Sequence, residues 1–75
     1  MNKARRQQLR KWLEDLEAIK SELENIVEDE QEYYDNIPEN LQSSERACDS
    51  EEAIDQMNEA VSSIEDVISI IEDIV

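Results

Sequence analysis

Seventy-five residues carry 21 acidic and 7 basic side chains, a net charge of −14, a single cysteine and neither glycine nor histidine. A chain this short forms one domain with a thin core, Cys48 has no partner for an intrachain disulfide, and the commonest general base and metal ligand is missing. No apolar run is long enough to span a bilayer or to act as a secretory leader, and a lone thiol suits a reducing compartment, so a cytoplasmic location is expected.

The charges are segregated. Lys3, Arg5, Arg6, Arg10 and Lys11 precede the first acid, Glu14; from residue 12 onward 21 acids meet only Lys20 and Arg46, a net of −19. A long acidic segment with few aromatics can be disordered, but the apolar residues argue otherwise. Positions 9, 12, 16, 19, 23, 26, 30, 33 and 37 step by threes and fours and read Leu9, Trp12, Leu16, Ile19, Leu23, Ile26, Glu30, Tyr33, Ile37. That is the seam of a heptad helix, predicted over about residues 3–36. Glu30 is the one polar member, and its expected role is to fix register or to reach out to water near the end of the helix.

Pro38 stops this helix, since proline has no N–H and pushes Ile37 out of the helical region. A turn follows over about residues 37–48. Asn36-x-x-Glu39 can cap a short helical turn around 38–46, and Asp49-x-x-Glu52 can cap a second long helix over about 49–75. Tyr33 and Tyr34 are expected to close the hairpin end, rings packed and hydroxyls wet. The second helix repeats the seam with Ile54, Met57, Val61, Ile64, Ile68, Ile71 and Val75, all apolar.

The break predicts an antiparallel hairpin, residues 1–75 forming one all-α domain. Folding back brings the basic head alongside Glu65, Asp66, Glu72 and Asp73, which partly neutralises it; each exposed pair contributes only a few tenths of a kcal/mol, roughly. Both helices carry a further apolar column beside the seam: Ala53, Ala60, Val67 and Ile74 on the second; Leu13, Val27 and Tyr34, interrupted by Lys20, on the first. Stripes this wide suit a bundle, and branched residues at both seam positions lean away from two strands. The sequence therefore predicts a homodimeric four-helix bundle. Its core and dimer contacts would come from Trp12, Leu13, Leu16, Ile19, Leu23 and Ile26 with Ile54, Met57, Val61, Ile64, Val67, Ile68, Ile71 and Ile74.

Catalysis finds no support in the residues. Paired carboxylates need a water-excluded site to split their pKa values, no glycine-rich loop is present to cradle phosphate, and Cys48 has no histidine to activate it. "EDEQE" (28–32) resembles a calcium loop in composition alone, lacking its glycine, and the Glu-x-x-His of di-iron bundles is absent. No enzyme activity, metal or cofactor is expected.

The acids are the more informative feature. Residues 12–35 hold ten and residues 49–73 hold nine, against Lys20 alone. Over two segments of roughly 37 Å laid side by side, that is one net charge per roughly 2 Å, close to the one per roughly 1.7 Å of duplex DNA. A stiff rod of that density can occupy a cationic groove meant for nucleic acid. The residues expected to dock there are Glu14, Glu17, Glu24, Glu28 and Glu32 on the first helix and Asp55, Glu59, Asp66 and Asp73 on the second. Two alternatives stay open: an oligomerisation module whose acids only solubilise it, and binding of nucleic acid or a membrane surface through the basic head (residues 3–12).

"YYDNIPENLQSSER" followed by "EEAIDQMNEAVSSIEDVISIIEDI" resembles small acidic helical-hairpin proteins of phages and prophages, over roughly residues 20–75. Those proteins mostly lack an assigned activity, and as a class they are often binders that block host defence or DNA-handling enzymes. The resemblance implies a non-enzymatic inhibitor or modulator of a basic host protein.

Overall fold

The computed structural model describes residues 1–75 and is all-helical: α1 (Lys3–Asp35), a single 3₁₀ turn (Glu39–Leu41) and α2 (Glu45–Ile74). The two helices pack against each other as a hairpin of extents 59 × 15 × 13 Å.

α1 begins where Asn2, in extended conformation, accepts a hydrogen bond from the Arg5 N–H at 2.8 Å and satisfies one free donor of the first turn. Its end falls where proline demands. Asn36 closes the helix with its N–H on the Glu32 carbonyl at 3.1 Å, and Pro38 sits at φ −55°, ψ 142°. Helices often stop on a left-handed glycine, but this chain has no glycine and no residue with positive φ. Instead it turns by short-range bonds: Leu41 N–H to Pro38 at 2.8 Å, Gln42 N–H to Glu39 at 3.3 Å and Ser44 N–H to Leu41 at 3.0 Å. The Gln42 side-chain amide reaches back to the Ile37 carbonyl at 3.5 Å.

α2 starts four residues earlier than the Asp49 box predicts. Ser44, at φ −68° and ψ 160°, is the cap, its Oγ accepting from the Ala47 N–H at 3.3 Å. Nothing between Ser44 and Asp49 breaks a helix, and starting early lets Ala47 and Ser50 bury against α1. Asn36 is correspondingly the C-cap of α1 and caps no new turn. Cys48, whose simplest role is a small buried hydrophobe, is exposed on the first turns of α2.

Every seventh residue of α2 from Ala47 (Ala47, Ile54, Val61, Ile68) is buried, and Met57, Ile64, Ile71 and Val75 are half-buried beside them. This is the predicted α2 seam, extended backward by Ala47 and Ser50. On α1 the half-buried residues are Leu9, Leu13, Leu16, Lys20, Leu23, Val27, Glu30 and Tyr34, followed by Ile37 beyond its end. The predicted seam shares one column with this set (9, 16, 23, 30, 37) and differs in the other. Leu13, Lys20, Val27 and Tyr34 face α2, and Trp12, Ile19, Ile26 and Tyr33 flank it. Lys20 explains how a charged residue sits there: its stem runs along the seam while Nζ emerges to meet Glu65 Oε1 at 3.5 Å.

Candidate functional site

Three cross-helix contacts set the register. Tyr34 donates its hydroxyl to Glu51 at 3.5 Å, Ser50 Oγ donates to Glu30 Oε1 at 2.8 Å, and Lys20 pairs with Glu65. Tyr34 thus lies level with Glu51, and Lys20 with Glu65. When one helix of a heptad pair is reversed, the same flank of each comes to the same side of the seam. One side therefore carries the column just before each α1 inner residue (Trp12, Ile19, Ile26, Tyr33) beside its counterpart on α2 (Ala53, Ala60, Val67, Ile74). The other side carries Arg10, Glu17, Glu24 and Gln31 beside Glu51, Asn58, Glu65 and Glu72.

The first side is apolar and open. Trp12, Ile19, Ile26 and Tyr33 are 47%, 51%, 54% and 42% exposed, and Val67 and Ile74 each 43%. The residues form four rungs by level: Tyr33 with Ala53, Ile26 with Ala60, Ile19 with Val67, Trp12 with Ile74. The hairpin exposes 5720 Å² in all. A compact monomer of its 8.8 kDa mass would expose about 4,800 Å², so the excess is close to the roughly 800 Å² that one partner buries in a standard interface.

The second side is acidic. Glu14, Glu17, Glu24, Glu28 and Glu32 on α1, and Asp55, Glu59, Asp66 and Asp73 on α2, are all exposed. By heptad position the α1 set and Asp55 lie on the flank and back of the rod away from the apolar side. Glu59, Asp66 and Asp73 lie on the back of α2. Glu51 repels a phenolate on Tyr34, and with slight desolvation and the hydrogen bond it pushes the Tyr34 phenol above its ordinary 10.0.

The basic head differs from expectation. Lys3, Arg5, Arg6, Arg10 and Lys11 are exposed, and none makes an ion pair with Glu65, Asp66, Glu72 or Asp73; Glu65 is held by Lys20 instead. Ser50 and Glu51 are the contact residues that sequence reasoning missed. Stepping the α2 seam back from Ile54 by four and three finds Ser50 and Ala47. Of the two tyrosines, Tyr34 packs its ring as predicted but turns its hydroxyl, expected to stay with water, to Glu51, while Tyr33 stays on the open side. No three His, Cys, Asp or Glu side chains are arranged to hold a metal ion, and no helix is long and apolar enough to cross a membrane.

Comparison with protein-family models, with curated proteins and with solved structures finds no match to this chain.

Proposed function

We propose that the chain is a non-catalytic binding protein in which two hairpins pair into a four-helix bundle and the acidic outer faces dock on a basic protein of the nucleic-acid-handling kind. The observation that carries this reading is the segregation of the two sides. Apolar columns gather on one flank of both helices, and on the opposite flank only Glu51 and Glu65 bond across the seam, leaving the other acids there exposed and unpaired. Pairing through the open side would cover Trp12, Ile19, Ile26, Val67 and Ile74. It would also double the charge along the same length. One hairpin carries −14 over 59 Å, one charge per about 4 Å; two side by side reach one per about 2 Å, close to the density of duplex DNA. The resemblance of residues 20–75 to small acidic phage proteins supports an inhibitory or modulating role.

The test is capture from a host lysate at about 50 mM and about 300 mM salt, followed by challenge with duplex DNA. Screening falls within about 10 Å at 0.1 M ionic strength, so a charge-read partner is lost at the higher salt and displaced by DNA. A partner retained under both conditions would favour the second reading, an assembly module joined through apolar contacts. The open apolar side is the observation on which that alternative stands.

A further inference from the structure

Resting on the pairing reading above, we infer that the second copy lies head to turn, with the two-fold axis perpendicular to the rod, so that the open end of each hairpin covers the closed end of the other. Face-to-face pairing of two hairpins leaves two choices. Their turns meet at one end, or they sit at opposite ends; both make every neighbouring helix antiparallel, so helix direction does not decide.

Charge does. The open end, residues 1–11 and 65–75, holds five bases and four acids. The closed end, residues 28–55, holds eleven acids and Arg46 alone. Turns together would stack two strongly negative ends; head to turn sets each against a near-neutral one that carries five free bases. The alignment is specific. Arg5 lies in the same flanking column as Trp12 and is exposed. Across the axis it reaches the level of Glu39 and Glu45 of the copy, beside an open cleft of about 560 Å³ lined by three acids, Glu30, Glu45 and Asp49, and one base, Arg46, with Tyr33 and Ser50.

Side-chain volume gives the same answer. With turns together, one layer would hold two copies of Trp12 and Ile74 and another two copies of Ile26 and Ala60, a bundle thick at one end and thin further along. Head to turn gives matched layers: Trp12 and Ile74 with Tyr33 and Ala53, Ile19 and Val67 with Ile26 and Ala60. Even layers pack without voids.

Cys48, the single cysteine, is exposed near the closed end and points away from the apolar side by its heptad position, so it is a built-in reporter. A nitroxide on Cys48 of the full chain, read by pulsed dipolar spectroscopy beside light scattering, separates the arrangements. Head to turn places the two labels about 47 Å apart along the rod, from roughly 15 to 16 residues of helix on either side of the axis. A dimer with labels within about 35 Å, the width of the bundle with both labels outward, overturns the orientation and leaves the pairing reading standing. A mass of one chain with no dipolar signal overturns both.

Discussion

The two long flanks of the hairpin come from the same heptads and differ by one column on each helix. Where α1 places Trp12, Ile19, Ile26 and Tyr33 on one flank, it places Arg10, Glu17, Glu24 and Gln31 on the other; α2 repeats the division with Ala53, Ala60, Val67 and Ile74 against Glu51, Asn58, Glu65 and Glu72. The inner seam is common to both. A thin core thus suffices to align the helices, and the flanking columns decide what each side does. The apolar flank can exclude water only against another surface, whereas the acidic flank is stable in water and gains only from a cationic one.

Breaking the apolar flank has the largest expected effect. Each isoleucine buried on pairing contributes about 1.5–3 kcal/mol, so Ile19→Asp with Ile26→Asp weakens self-association at least about 100-fold in sedimentation. Glu24→Gln with Glu28→Gln, on the opposite flank, leaves the mass unchanged and weakens only salt-sensitive capture of a basic partner. Next comes the contact between Glu30 and Ser50. Ser50→Ala leaves a half-buried carboxylate without its donor and costs about 1–2 kcal/mol in urea unfolding. Glu30→Leu in that background recovers most of it.

Lys20 sharpens the comparison by testing which column faces inward. If Leu13, Lys20, Val27 and Tyr34 form the seam, Lys20→Leu adds buried apolar area that outweighs one partly exposed ion pair, and thermal stability rises by about 1 kcal/mol. Were Trp12, Ile19, Ile26 and Tyr33 the inward column, that change would be close to neutral.

The smallest effect is electrostatic. Tyr34 is held protonated above 10.0, chiefly by Glu51. A phenol raised in the folded state keeps its full contribution below pH 10 and loses it as pH climbs through the raised value, since the folded form then binds more protons than the unfolded one. In a Tyr33→Phe background, Glu51→Gln should bring the phenolate absorbance midpoint back down toward 10. An unchanged midpoint would place Glu51 away from Tyr34.

Much of the fold was readable from periodicity and one proline. The end of α1 near Asp35 and the α2 column from Ile54 to Val75 follow from local rules and stand in the structure. The start of α2 did not, because Ser44 lies in "QSSER" and reads as turn, while the Asp49 box looks the stronger signal. The α1 seam was legible only to within one column. Residues 9, 16, 23, 30 and 37 belong to either choice, and which neighbour turns inward depends on the facing helix. Lys20 looked like an interruption because sequence alone does not show that Glu65 waits across the seam. The acidic residues were legible as a set, but which of them fall on the flank away from Trp12 and which on the back depends on that same column choice.

Sedimentation equilibrium of the intact chain at micromolar concentration tests the pairing of apolar flanks most directly. The account predicts a species of twice the 8.8 kDa chain mass that reverts to one chain on Ile19→Asp with Ile26→Asp. A single-chain mass across that range, with helicity intact by circular dichroism, would contradict it.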